Sequence, residues 1–264
     1  MSVATQPLAQ ADQPSPAQAA PDGPPQLWNS LPALPIERTA SQPSIRLEDV
    51  RSDPEVQALI RHANRNLGAI GYTEHGFRHV GLVANIARNI LRKLGFDERH
   101  QELAAISGYL HDIGNVVSRR DHARTGALLA HSILSRLGAE PDDVAIVMGA
   151  IGSHEDEGEL GDPVHAVSAA LILADKSDVH RTRVRNADPA SFDQHDRVNY
   201  AATSSMLTVD PEDKSMTLEL DIDTATASVM HYFEIFLPRM LMSRRAAETL
   251  GYAFHITING APVL

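Results

Sequence analysis

The sequence predicts a mainly α protein: a helical bundle, then a small C-terminal antiparallel β-sheet with a long helix. Three observations predict this class. Between Asp53 and about Thr203, apolar residues recur at helical spacing in six successive segments. These segments carry their own punctuation, with Asp or Pro at most starts and Gly after several ends. Beyond residue 203 the period shortens to that of strands, interrupted by one more helical stretch.

Residues 1–44 stand apart from this pattern. Nine of the 16 prolines lie there, among Ala, Gln and Ser. Such a segment buries too little apolar surface to offset its ordering entropy, so it reads as a disordered tail. It contains one apolar run, Leu27, Trp28, Leu31, Leu34 and Ile36.

A helical domain is expected over 45–203. Asp53-Pro54 opens the first helix, with Val56, Leu59, Ile60, Ala63 and Leu67 on its apolar face. The second runs from about Phe77 to Leu94 and stops at Gly95; its stripe is Val80, Val83, Ala84, Ala87, Ile90, Leu91 and Leu94. Asp97 caps the third, which carries Leu103, Ile106, Leu110 and Ile113 and ends at Gly114. Asp121 caps the fourth, closed by Gly138, and Pro141 opens the fifth. Asp162-Pro163 opens the sixth, which reaches about His180.

Residues 204–264 form an appendage. Ser205–Val209 and Met216–Asp221 flank Asp-Pro-Glu-Asp-Lys, a hairpin signal. A helix from about Thr224 to Leu250 follows, ended by Gly251, and Pro238 is expected to kink or break it. Met230, Phe233, Phe236, Leu237 and Leu241 form its apolar stripe. Tyr252–Ile258 then alternates as a third strand.

Composition narrows the chemistry. The 264 residues include 23 Lys plus Arg against 34 Asp plus Glu, a formal net charge of −11. Binding of duplex DNA is not expected of so acidic a chain. Zero cysteine rules out disulfides, thiolate zinc sites, iron–sulfur clusters on Cys and a Cys nucleophile. Any metal site must use His, Asp and Glu. No run approaches the roughly 20 apolar residues of a spanning helix. The N-terminus carries no secretory signal pattern, so a cytoplasmic location is expected.

Thirteen histidines supply the candidates. The central feature is His111-Asp112 in GYLHDIGN, at the end of an apolar helix. Neighbours on a helix point about 100° apart, so the pair meets one ion only where the helix end abuts it. His79, His122, His154 and Asp175 fall at positions on four other helices. Helices presenting N and O donors suit a metal site in a bundle core. His131 lies nine residues after His122, about half a turn out of phase, and is set aside. His62 and His100 lie among polar residues and are expected to be exposed. His165, His180, His195, His231 and His255 receive no role.

The ordered set His79, His111-Asp112 and Asp175 resembles the H…HD…D signature of the HD superfamily of metal-dependent phosphohydrolases. HGFRH, LHDIGN and LILADKSD carry the likeness, which covers roughly residues 55–185. It implies an HD-type helical bundle and a metal-activated water that attacks a phosphate ester. It also implies that His79, His111, Asp112 and Asp175 hold one ion, and Asp112, His122 and His154 a second. Some two-metal members, including HD-GYP phosphodiesterases, have His-His-Glu where this chain has Ser153-His154-Glu155. One second-site ligand is therefore missing, which leaves three alternatives: Glu155 fills the gap, water fills it, or the second ion binds weakly. Asn115 stands where HD-GYP proteins usually have Lys, and no GYP triplet occurs, so the likeness stops short of that subgroup. Ligation by N and O without thiolate suits Mn, Fe, Co, Ni, Zn or Mg, one ion or two.

Local basic runs fit a phosphorylated small molecule, such as a nucleotide, as substrate. Lys176 follows Asp175 directly; Arg119, Arg120 and Arg124 follow the doublet, and Arg181 lies beyond the sixth helix. These four arginines are candidate substrate-binding residues. Asp112, Lys176 and His75, the last four residues before His79, are the candidate catalytic groups. The same donor set also occurs in HD-fold di-iron oxygenases, an alternative activity. A non-catalytic, metal-stabilised sensor or interaction protein is the second alternative. No membrane partner is expected, and a homo-oligomer is compatible with the apolar stripe near the C-terminus.

Overall fold

The computed structural model describes residues 45–155 and 162–263. The tail expected over residues 1–44 lies outside them. Among the described residues nine α-helices and four strands form, in the order six helices, a seventh and eighth, a hairpin, a ninth helix and two last strands.

Helix α1 (Leu47–Ser52) leads into α2 (Pro54–Ala69) through Asp53, whose carboxylate accepts from the Glu55 and Val56 amides. Helices α3 (Phe77–Lys93) and α4 (Glu98–Leu110) form the main antiparallel pair of the bundle. Their stripes are buried as the periodicity requires, from Val80 to Leu91 and from Leu103 to Leu110. Gly108 permits their closest approach. A Cβ there would lie 2.7 Å from Ala84 Cα and 2.8 Å from Ala84 N, both backbone atoms.

After α4 the chain passes through His111-Asp112 into a 3-10 turn, Ile113–Val116. Helix α5 (His122–Arg136) then packs on that turn and on α6 (Pro141–Gly152). Asp121 does not cap α5 as expected. It sits in the left-handed region at φ 58° with no side-chain bond to the helix amides, and its carboxylate pairs with Arg124 instead. Helix α7 (Ala166–Ser177) opens at His165 rather than at Asp162-Pro163. The His165 ring accepts from Ser168 N, and the Ser168 hydroxyl in turn meets the His165 backbone N–H, a reciprocal cap that outcompetes the upstream Asp-Pro. Every residue from Val167 to Ser177 is buried, because α3, α4, α6 and α9 surround this helix.

Helix α8 (Gln194–Ala201), capped by Asp193, was not legible as a separate element. Strands β1 (Ala202–Asp210) and β2 (Ser215–Ile222) form the expected hairpin. Asp210 Oδ1 accepts from the Glu212 and Asp213 amides in its turn. Helix α9 (Val229–Thr249) is capped by Ser228 and runs through Pro238 without a break. Its buried face is Tyr232, Phe236, Met240, Met242, Ala246 and Ala247; Met230 and Leu237 of the expected stripe face outward. The sheet order is β1-β2-β3-β4, with β3 (Ala253–Ile258) and β4 (Ala261–Pro262). The sheet is mixed rather than wholly antiparallel. Helix α9 is a crossover that returns the chain to the same end, so β3 pairs parallel to β2. Met216, Leu218, Leu220 and Ile222 alternate inward with Phe254, Ile256 and Ile258. No helix among the described residues is long and apolar enough to cross a membrane.

Candidate metal centre

The six predicted donors converge in the bundle interior. Three overlapping groups have donor atoms within 4.8 Å of one another: His79, His111 and Asp112; His111, His154 and Asp175; Asp112, His122 and His154. All six residues are buried.

The local backbone explains how the doublet meets one centre. His111 closes α4 in helical conformation, and Asp112 turns to φ −95°, ψ 0°, leaving the α-helix for the 3-10 turn. The carboxylate escapes the 100° separation of consecutive helical side chains and faces the same interior. Its two oxygens face different partners. Oδ2 lies 3.2 Å from His111 Nε2 and 3.5 Å from His79 Nε2, whereas Oδ1 lies 3.6 Å from His122 Nε2 and accepts from Asn115 Nδ2 at 2.9 Å.

Each histidine is oriented by an acceptor on its far nitrogen. His79 Nδ1 lies 2.7 Å from Asp178 Oδ2, His111 Nδ1 2.9 Å from Gly108 O, His122 Nδ1 3.0 Å from Arg119 O, and His154 Nδ1 2.6 Å from Ile151 O. Carbonyl and carboxylate oxygens only accept, so all four rings donate Nδ1–H. The Nε2 atoms then point inward, the pattern by which proteins fix the tautomer of ligating histidines.

These donors fit a metal ion. Nε2 of His79 and His111 are 3.2 Å apart, and Nε2 of His122 and His154 3.3 Å. Asp175 Oδ1 lies 3.4 Å from His79 Nε2 and 3.7 Å from His111 Nε2. Ligands about 2.1 Å from one ion stand about 3.0–3.4 Å from each other in octahedral or tetrahedral arrangement, close to these separations. Asp112 Oδ2 is fully buried without a hydrogen bond, an arrangement that costs free energy unless a cation or proton compensates it.

The electrostatics agree. Burial opposes ionisation of Asp112 and Asp175, yet His111 beside the first and Lys176 beside the second hold both carboxyls well below the usual range. Burial, then His111, His122 and Lys176, push His154 down to about 3, so its ring is neutral. Burial and Arg183 push His79 down as well, but Asp112, Asp175 and Asp178 outweigh them and hold it up to about 9. With Nδ1–H given to Asp178, the extra proton falls on Nε2, where the cluster's negative charge calls for a cation.

The surroundings were only partly legible. Asp178, assigned no role from the sequence, is buried and orients His79. It is itself held by Arg78 Nη2 at 2.9 Å and by buried Arg183, whose Nε lies 3.7 Å away. Glu74 N donates to Arg183 O and Arg183 Nε donates to Glu74 O, two bonds that tie the loop carrying His75 to the turn after α7. Arg239 of α9 donates to the Asp175 carbonyl at 3.0 Å, a contact that no sequence signal announced.

Among the other predicted residues, Lys176 is buried with Nζ 2.8 Å from Asp175 Oδ2. His75 stands edge-on to His79 with ring centroids 5.3 Å apart, and its Nδ1–H is given to Thr73 O. Burial and then Arg183 push its pKa well below the ordinary value. Arg119 reaches the cluster, with Nη1 3.2 Å from His122 Nε2, Nη2 bonded to Glu155, and its guanidinium over the Tyr72 ring. Arg124 and Arg181 do not reach it. Arg120 is exposed. Arg124 lies two residues after His122, about 200° round the helix, with an 82 % exposed side chain paired to Asp121. Arg181 stacks on Tyr200. His62 is exposed as expected and His131 is exposed too, whereas His100, also expected to be exposed, is partly buried against Asp97.

A helical bundle with a buried N/O donor cluster on five segments defines the class to which this chain should be compared. Residues 76–180 match the family model described as HD domain, which covers the segments that carry all six donors. An uncharacterized protein of Methanocaldococcus jannaschii is 28% identical over 165 residues, which cover 54% of this chain and 62% of that relative. The matched region thus spans less than two thirds of the relative's length.

Proposed function

We propose that the protein is a metal-dependent phosphohydrolase that cleaves a phosphate ester of a small molecule, a nucleotide or another phosphomonoester or phosphodiester. The observation that carries this reading is Asp112 with one oxygen toward His79 and His111 and the other toward His122, next to the cations Lys176 and Arg119. His79, His111, Asp112 and Asp175 would hold one divalent ion, and Asp112, His122 and His154 a second. A bound ion of this kind supplies a nucleophilic water at neutral pH and polarises a phosphoryl oxygen.

The chain's own residues do the rest. Lys176 and Arg119 offset the charge of the phosphoryl group, and Arg119 can do so with two parallel donors. Asp178 keeps His79 in one tautomer. His75, held neutral by burial and Arg183 and anchored through Nδ1, presents Nε2 as a hydrogen-bond acceptor beside the cluster. The flanking cations favour a phosphorylated substrate over the oxygenase chemistry that a similar donor set supports.

Metal analysis of the purified chain, then a phosphate-release screen over nucleotides and simple esters with Mn, Mg, Co and Fe, tests the proposal. His111→Ala is expected to lose both metal and turnover while keeping its helical spectrum. Metal and activity unchanged in that variant, or turnover that needs iron and consumes oxygen, would overturn it.

A further inference from the structure

Among the described residues, Glu155 is a carboxylate at the cluster's edge that lies outside the six-donor set. It follows His154 directly, beyond the end of α6. Its Oε1 bonds Arg119 Nη2; its Oε2 lies 3.1 Å from His122 Nε2 and 4.0 Å from Lys176 Nζ. It therefore lies among three nitrogen groups carried by three different segments.

Glu155 belongs to none of the three donor groups, although its neighbour His154 belongs to two. Its side chain is 26 % exposed and that of Arg119 25 %, against 2 % for His122 and 5 % for Lys176, so this ion pair is the part of the cluster that solvent reaches.

The fit is incomplete in a telling way. Lys176 carries three donors and gives one bond to Asp175 Oδ2, while Glu155 at 4.0 Å is beyond hydrogen-bond reach. A carboxylate has two oxygens and here spends one on Arg119. A phosphoryl group has three, enough to engage Arg119, reach Lys176 and still face the metal donors.

We infer that Glu155 is a resident stand-in for the substrate's phosphoryl group, holding Arg119 and the approach to Lys176 until a phosphate displaces it. This rests on the phosphohydrolase reading for the identity of the ligand, but its test does not depend on turnover. The displacement breaks the Arg119–Glu155 ion pair and transfers Arg119 to the incoming anion. No covalent bond changes.

Calorimetric titration of the metal-loaded full chain with inorganic phosphate, with metal content measured on the same samples, provides the test. Glu155→Gln is expected to retain its metal and bind phosphate about tenfold more tightly, since the competing charge is gone. Glu155→Asp, one methylene shorter, should fall between Glu155→Gln and the parent, and it serves in place of Glu155→Gln if that variant does not fold. Arg119→Gln should weaken phosphate binding. Asp142→Asn, which removes an exposed charge at the far end of α6, should leave it unchanged. Metal loss in Glu155→Gln would make Glu155 a ligand and overturn the inference. So would phosphate affinity equal to or weaker than the parent's, or an equal gain in Asp142→Asn. Tighter phosphate binding with no ester hydrolysed by any variant would sink the hydrolase reading and leave this anion position standing.

Discussion

Gly114→Ala tests whether the turn after the doublet and the start of α5 are as close as the structure has them. A Cβ at residue 114 would lie 2.0 Å from His122 O, 2.6 Å from Gly126 N and 2.9 Å from His122 C. Carbon atoms of this kind essentially never approach closer than 3.0 Å, so the chain must yield by about 1 Å. All three obstacles are backbone, and no flexible side chain can swing aside. The first turn of α5 must move, and it carries His122. Overpacking of this kind costs about 1–3 kcal/mol. For a domain near 200 residues that corresponds to a Tm lower by roughly 2–12 °C. Functional constellations tolerate about 0.5 Å of displacement, so the shift should cost the Asp112–His122–His154 group its ion. The His79–His111–Asp112 group draws no residue from α5 and should keep its own. Thermal unfolding and metal content on the same preparation provide the assay. A parental Tm together with undiminished metal would refute the packing argument.

Three other outcomes follow from the same geometry. Gly81→Ala should raise stability by about 0.5–1 kcal/mol, because it lies inside α3 and a Cβ there meets nothing within 4 Å; an unfolding midpoint at or below the parent's would contradict this. Asp178→Asn should weaken metal binding about 10–100-fold with little change in the helical spectrum, as the charge that orients His79 is removed; competition against a chelator measures it, and parental affinity would deny Asp178 its role. Metal uptake should depend on pH with a definite sign. His79 is held up to about 9 without metal, so below that pH its Nε2 must release a proton before it can ligate. Affinity should rise with pH by up to about tenfold per unit between roughly 7 and 9 and then level off, with proton release visible by calorimetry in buffers of different ionisation enthalpy. Uptake without proton release would place His79 outside the ligand set.

Particular residues show why some of this was legible in the sequence. The stripes of α3 and α4 and the caps Asp53 and Asp97 are local, and local physics settled them. His79, His111, Asp112, His122, His154 and Asp175 were legible because each lies near the end of a helix, and helix ends are what a bundle can bring to a common point. The misses depend on distant partners. Asp121 looks like a cap until Arg124 takes its carboxylate. Asp178 looks like a surface acid until the bundle folds it onto His79, 99 residues earlier. The parallel β2–β3 pairing is set by where α9 returns the chain, which no strand pattern contains. Arg124 and Arg181 were indistinguishable from Arg119 by composition; only the direction of each side chain separates them.

The bond from Arg239 to the Asp175 carbonyl gives the last third of the chain a stake in the first two. Asp175 stands near the C-terminal end of α7, where its carbonyl accepts from the capping Asp178 amide and has room for a second donor. Arg239, one residue past Pro238 in α9, supplies one from a segment outside the matched HD region. The hairpin, α9 and the returning strand are therefore not a detachable accessory. A chain trimmed to the matched residues would leave the anchor of its last metal donor facing water, and the rigidity of that donor would go with the piece removed.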